Sequence, residues 1–401
     1  MTAVPVSPVV APPKRKPLNA GLIVGVGALL VLYPVFYHHF LSNVATNWLP
    51  STSTAFGIAA FTVMGLGLNI VVGYAGLLDL GYVAFYAAGA YVAGWLASQQ
   101  FAQVTVSAGG TGFPHATGIH INPWLVILFA GLFAAALGVL IGIPTLRLRG
   151  DYLAIVTLGF GEIIPQFVRN GDNLGGFNLT NGSFGLNGID GLGFGVALHN
   201  TFHFLPSNFL NEADSTWYYW SALFLVGLAI AVSLLLRDSR LGRAWVAIRE
   251  DEDAAGAMGV PLMRMKTLAY LIGASWGGAA GCLLTLQGSA TSPQAFSLQI
   301  SIFVLSMVIL GGMGNVWGVA LGGAILAYIN YQGLYAAGNT FNNVFNTNVQ
   351  IPEYSYLIYG VMIVSFMLLR PEGLIPSARR RAELHEDDPE TQEELAETAT
   401  A

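Results

Sequence analysis

The chain has 401 residues, of which 54% are hydrophobic and only 9% charged, against roughly a quarter charged in ordinary soluble domains. Its apolar runs reach the length of about 18 residues that marks a membrane-spanning helix, which excludes a soluble enzyme and defines a polytopic membrane protein. The formal net charge of −6 comes largely from the acidic tail beyond Arg381.

Lys14, Arg15 and Lys16 precede an apolar run from Asn19 to Leu41. The run is too long for a signal-peptide core and no small-x-small cleavage pattern follows it, so it is read as a first, retained span. Residues 1–19 form a cytoplasmic tail, Pro-, Val- and Ala-rich at 1–13, that the composition leaves disordered. Hydrophobic segments follow at about 20–41, 55–72, 82–98, 124–144, 152–168, 217–236, 267–287, 298–313, 318–337 and 355–369. The eighth and ninth are short or Gly-interrupted, which sets the number of spans at eight to ten.

Lys and Arg orient these spans. With the N-terminus inside, basic residues fall on the cytoplasmic side at 14–16, at Arg147 and Arg149, from Arg237 to Lys266, and at Arg370 and 379–381; of 16, only Arg169 falls outside. Both termini are therefore cytoplasmic. The expected fold class is all-α, a polytopic helix bundle with a permease-like domain over 20–370. It carries a cytoplasmic loop at 237–266 and an external loop at 169–216. The stretch 371–401 is a basic, then acidic, disordered tail. The external loop is rich in Gly, Asn and Phe, with Phe177, Phe184, Phe194 and Trp217 available for packing; the second external loop, 99–123, is a short hairpin or flexible. Glycines crowd ASWGGAAGCLL (274–284) and VWGVALGGAILA (316–327), where small residues let helices approach closely in lipid. Cys282 lies among them as a small buried residue.

No nucleotide-binding loop of the form G-x-x-x-x-G-K-[ST] is present, since the lysines are Lys14, Lys16 and Lys266. The seven histidines show no metal-ligand spacing, and no nucleophile motif occurs. No catalytic residue, metal or cofactor is expected. Two carboxylates stand out beside or within apolar segments: Asp79 in GYAGLLDLGYVAFYAAGAY (73–91) and Glu162 in TLGFGEIIPQF (157–167). Each is either a capped, hydrated helix end or a functional group in the membrane. Gly76 and Gly81 around Asp79 suggest a broken helix or a tight turn on the cytoplasmic side.

The densest charge is in GRAWVAIREDEDAAGAMGVP (242–261). Asp251 is an N-cap residue, with Glu252 and Asp253 in a first turn that favours acids. Ala254, Ala255, Ala257 and Met258 continue a helix of about two turns, Gly259 ends it and Pro261 forbids its continuation. So short a helix is marginal alone in water and must pack on something.

With these residues in view the chain resembles the LivM-type branched-chain amino acid permeases of ATP-binding-cassette importers, within the group that includes ribose-type permeases. The resemblance is carried by GLNIVVGYAGLLDLGYVAFYAAGAY (67–91), LRGDYLAIVTLGFGEI (148–163), GRAWVAIREDEDAAGAMGV (242–260) and ILGGMGNVWG (309–318), and spans roughly 55–375. It implies a transport subunit of the prokaryotic inner membrane, without enzymatic activity, that forms half of an alternating-access pathway for Leu, Ile or Val. It also implies partners: a second, LivH-type permease, two ATPase subunits that bind the ATP, an external solute-binding protein and the surrounding lipid, with no nucleic acid. The helix of Asp251, Glu252, Asp253, Ala254, Ala255, Met258 and Gly259 is then the coupling helix that docks on an ATPase, and Asp79, Tyr82, Phe85, Tyr86 and Glu162 lie along the substrate path. The external FNLTNGSFGL (177–186) departs from the family's LTGGPNGI-like pattern, so substrate or binding-protein contact differs there. A permease of the same family for urea, short amides or another amino acid is the nearest alternative. An ion-coupled secondary transporter or a receptor without transport is further away.

Overall fold

In lipid every backbone polar group needs an internal partner, which leaves the helix as the form open to segments this apolar. The computed structural model describes residues 20–37, 48–108, 117–192, 215–346, 349–370 and 373–375; of the tails expected to be disordered, 1–19, 371–372 and 376–401 lie outside them, whereas the Leu374 and Ile375 amides donate to the Leu310 and Gly311 carbonyls. The helices are α1 (Ala20–Phe36), α2 (Thr52–Leu68), α3 (Val83–Leu96), α4 (Pro123–Thr145), α5 (Asp151–Arg169), α6 (Ser215–Asp238), α7 (Arg240–Glu250), α8 (Glu252–Ala257), α9 (Leu262–Gly288), α10 (Leu298–Gly311), α11 (Val316–Tyr328), α12 (Leu334–Phe345) and α13 (Ser355–Leu369). A π-helical turn, Asn69–Tyr74, prolongs α2, and another, Ile329–Gly333, joins α11 to α12 into one continuous element.

Among the described residues, six stretches are long and apolar enough to cross a membrane: Thr52–Tyr74, Pro123–Thr145, Asp151–Arg169, Ser215–Asp238, Leu262–Gly288 and Pro293–Gly311. Gly25–Phe36, Val83–Leu96 and Ile351–Phe366 are shorter apolar helices. With the joined α11–α12, each of the ten hydrophobic segments read from the sequence holds helix, and the protein is an all-α polytopic membrane helix bundle. The ends are marked locally: Ser51 accepts from the Thr54 amide, Asn122 from Trp124, and Asn315 from Trp317 and Gly318, each satisfying an orphan donor of a first turn.

The centre is α9, which packs on α2, α3 and α4 through its glycines. A Cβ on Gly89 of α3 would overlap the Gly278 carbonyl, and one on Gly278 would run into Ala134 of α4. Backbones therefore meet without side chains between them, the close approach that small residues permit in a membrane. Aromatic rings fill the space around this seam, with Tyr82 edge-on to Phe85 and Phe85 edge-on to Tyr270.

At one end of the bundle, the described part of the 99–123 loop belongs to a small sheet. Strands β1 (Ala97–Ser98), β2 (Val106–Ala108) and β3 (Ile119–Ile121) form a small sheet in the order β1-β3-β2, with β2 parallel and β1 antiparallel to β3; residues 109–116 lie outside the description. Strand β4 (Leu186–Asn187) pairs with β5 (Ala290–Thr291). The buried His120 Nδ1 lies 2.7 Å from Asp190 Oδ2, fastening the external loop to β3. Burial pushes the Asp190 carboxyl above its usual value, and His120 pulls it back down. Of the external aromatics, Phe177 stacks on Phe101 at 5.6 Å, whereas Phe184 is exposed; Phe194 lies outside the described residues.

Candidate coupling site and membrane path

At the opposite end the charged segment forms two helices. Ser239 caps α7, accepting from the Leu241 and Gly242 amides. Its Gly242, Trp245 and Ile248 are buried, a three-residue spacing that gives one inward stripe. Trp245 is fully buried and donates from Nε1 to the Met265 carbonyl at 2.7 Å. The sequence places this part in the 237–266 loop, because its amphipathic pattern directly continues the apolar run of α6; Ser239 is the local signal for the helix.

Asp251 is the N-cap of α8, its Oδ1 accepting from the Asp253 and Ala254 amides at 2.9 Å each. Met258 is the C-cap and Gly259 has φ +87°, a left-handed conformation that glycine adopts without steric cost. Glu252 Oε2 pairs with Lys266 Nζ at 2.7 Å, and Lys266, on α9, is only 3% exposed in its side chain. Arg149, from the turn before α5, reaches Asp253 at 2.9 Å and Glu252 at 3.6 Å. These pairs tether α8 to α9 and to the α4–α5 turn. Ala255 is buried against its own subunit, while Asp251, Asp253, Ala254, Ala257, Met258 and Gly259 are exposed, and Met258 is 86% exposed. The exposed face of α8 therefore carries Asp253, Ala254, Ala257 and Met258, with Ala255 beneath it.

Between α2 and α3 the chain leaves the helix at Tyr74 and resumes it only at Val83. Asp79 is buried in this gap, where its Oδ1 accepts from the Gly81 amide at 2.8 Å. The Leu80 amide donates to Thr157 Oγ1 of α5, the Val83 amide to Ser301 Oγ of α10, and the Tyr82 hydroxyl to the Gly273 carbonyl. Asp79 Oδ2 and the Tyr270 hydroxyl have no aligned hydrogen-bond partner although they are neighbours. Asp79, Tyr82, Phe85 and Tyr86 are thus assembled inside the subunit, where Tyr86 packs edge-on to Phe296 at 5.2 Å. A break whose donors are met by protein groups is the form in which non-helical backbone is tolerated at membrane depth.

Glu162 stands apart. It lies eleven residues beyond Asp151, about 16 Å along the axis at 1.5 Å per residue, near the midpoint of the 19-residue α5. Thr157 and Gly161 face the 79–83 segment, but Glu162, Ile163, Gln166 and Phe167 are exposed. Among the described residues Glu162 forms no ion pair.

These features define a polytopic membrane helix bundle with a broken helix at its centre and a short capped helix at the end opposite the β-strands. Residues 52–367 match the family described as branched-chain amino acid transport system / permease component, and the chain belongs to that family. It is 38% identical over 334 residues to the high-affinity branched-chain amino acid transport permease LivM of Escherichia coli K12, covering 81% of this chain and 69% of that one. It is 28% identical over 342 residues to the probable LivM permease of Methanocaldococcus jannaschii, covering 79% and 90%. Its likeness to the LivH permease of Salmonella typhimurium LT2 is 26% over 156 residues, covering 39% and 46%. No solved structure matches.

Proposed function

We propose that this chain is the permease subunit of an ATP-driven importer for leucine, isoleucine and valine in a prokaryotic inner membrane, and that it forms half of an alternating-access path. It has no enzymatic activity or cofactor of its own; ATP is bound by two ATPase subunits, one of which docks on α8. A LivH-type permease completes the path, and a solute-binding protein delivers substrate to the external end. The observation that carries this reading is α8 itself. It is a short helix capped at both ends, tied by ion pairs to α9 and to the α4–α5 turn, and it displays an exposed methionine to the cytoplasm. Purification in mild detergent is expected to recover a second permease and two ATPases, and the proteoliposome complex to import labelled leucine only with ATP and binding protein. Recovery of this chain alone, active without ATP, overturns the proposal. Labelled urea and short amides, run in parallel, separate the same-family alternative. Ion pairs among the described residues lie at the two ends of the bundle rather than within it, which disfavours an ion-coupled carrier.

The substrate path runs along the open face of α5, with the 79–86 cluster behind it as the wall that shifts between states. A carboxylate at mid-membrane depth does not face lipid; it faces a partner or a water-filled passage, and Glu162 offers a counter-charge to the ammonium of a zwitterionic amino acid. Because the chain's one cysteine, Cys282, is fully buried, E162C can be probed in an otherwise native chain. A membrane-impermeant thiol reagent is expected to modify E162C in the assembled complex, and E162Q to lower leucine uptake about tenfold, the loss of one charge-assisted hydrogen bond. Modification only by lipid-soluble reagents, with normal uptake by E162Q, removes α5 from the path.

A further inference from the structure

We propose that Arg249 is the positioning residue through which movement of α8 reaches the broken helix, an inference that rests on the docking role given to α8 above. Arg249 lies in the last turn of α7, two residues before the Asp251 cap. Its Nη1 donates to the Gly73 carbonyl at 2.7 Å, at the point where the π-turn ends and the chain leaves the helix. A carbonyl at a helix C-terminus lacks an intrahelical donor and carries negative partial charge, so a guanidinium is well matched to it.

The contact is also one of shape. Gly76 has φ +69°, and a Cβ there would lie 2.7 Å from Arg249 Cγ and 3.1 Å from its Cβ. The arginine stem therefore lies directly on the backbone of the break. The α10–α11 turn joins the same knot: the Gly314 amide donates to Oδ1 of the buried Asn69 at 2.9 Å, and Gly314 itself adjoins both Gly73 and the Arg249 guanidinium. Beyond the knot, segment 76–82 runs on to Asp79 and to the Leu80–Thr157 hydrogen bond with α5.

On the other side, the α7–α8 pair is built to move as a unit. Trp245 anchors α7 to the start of α9, and the Glu252–Lys266 ion pair anchors α8 to the same helix. Beside this contact a cavity of about 110 Å³ opens, bounded by Gly76, Leu78, Arg149, Arg249, Glu252 and Lys266. It gives segment 75–78 room to take a second arrangement, and two discrete arrangements are what coupling between distant sites requires. Pressure on Met258 is thereby converted into displacement of Gly73–Gly76, and then of α5.

The test uses the reconstituted importer with its ATPases and binding protein, comparing wild type, R249A and R249K. Hydrogen exchange is read with and without vanadate trapping of the ATPases, and leucine imported per ATP hydrolysed is measured alongside. In wild type, trapping is expected to change exchange at both 252–258 and 73–81. In R249A the change at 252–258 persists and that at 73–81 disappears, while uptake per ATP falls about tenfold, within the usual range of a coupling effect. R249K, which keeps a charge and a donor on a shorter reach, recovers part of both. A purely capping role moves stability but leaves the trapped-state difference at 73–81 intact in R249A, and that result overturns the proposal. Loss of the ATPases from R249A also overturns it, by making Arg249 a docking residue. If R249A does not accumulate, R249Q is read in the same way, and full coupling there overturns the relay. Failure of the wild-type chain to recruit ATPases is failure of the importer reading itself, visible before any variant is made.

Discussion

Met258→Asp is expected to release the ATPase that docks on α8 while leaving the subunit's own fold unchanged. Met258 touches solvent over most of its surface, so little in the isolated chain depends on it. In a docked state it is the large apolar group at the tip of α8, and interface anchors of this kind account for about 2–3 kcal/mol, or roughly 30- to 150-fold in affinity. A carboxylate adds the cost of burying an unpaired charge. Co-purification at several ATPase concentrations measures the loss, and an unchanged thermal transition of the isolated subunit is the control. Retention of both ATPases by Met258→Asp would place the docking contact elsewhere. Asp251→Ala combined with Ala255→Trp is expected to give the same uncoupling by another route. It removes a cap worth about 1 kcal/mol and wedges α8 away from the elements beneath Ala255, which is buried. That double variant lowers stability as well, and the difference separates contact from positioning.

The second large effect is expected at Gly89. A side chain there overlaps the Gly278 carbonyl, Gly278 in turn is packed on Ala134, and the contact is backbone against backbone. Overpacking a well-filled core costs about 1–3 kcal/mol when side chains can shift; here helices would have to separate, so Gly89→Val lies at or beyond the upper end. The variant is expected to accumulate poorly and to lose its thermal transition in detergent. Gly227 on α6, with no heavy atom within 4 Å of an added Cβ, is the matched control, and Gly227→Ala is expected to leave the transition within about 1 kcal/mol of wild type, the helix-propensity difference between the two residues. Equal tolerance at the two positions would remove the close α3–α9–α4 packing as a determinant of the fold.

Much of the architecture is legible one segment at a time, because the membrane makes the requirement local: a run of apolar residues must be helical wherever it lies. The ten hydrophobic segments and the short helix at 252–257 follow from composition and caps. Asp251 and Gly259 mark that helix because capping depends on residues only a few positions away. The helix α7 is less visible, since the stripe of Gly242, Trp245 and Ile248 is short and follows the apolar run of α6 without a break in pattern. The π-turns at Asn69–Tyr74 and Ile329–Gly333 have no comparable local signature.

What sequence cannot order is contact between residues far apart in the chain. Gly73 and Arg249 are joined by one hydrogen bond across 176 positions, and nothing near either residue announces the other. Ala255 and Ala254 are equivalent as small helix formers, and only packing buries the first and exposes the second. The sequence names Asp79 and Glu162 alike as carboxylates in apolar surroundings, yet the fold encloses Asp79 as a cap for Gly81 and leaves Glu162 on an open helix face. Residue type and spacing alone determined that this is a membrane helix bundle with a short capped helix at 252–257, since those features answer to solvent and to neighbours in the chain. Only the tertiary structure decided which charge is enclosed, which is presented and which arginine spans the two regions, since those depend on the summed packing of several helices.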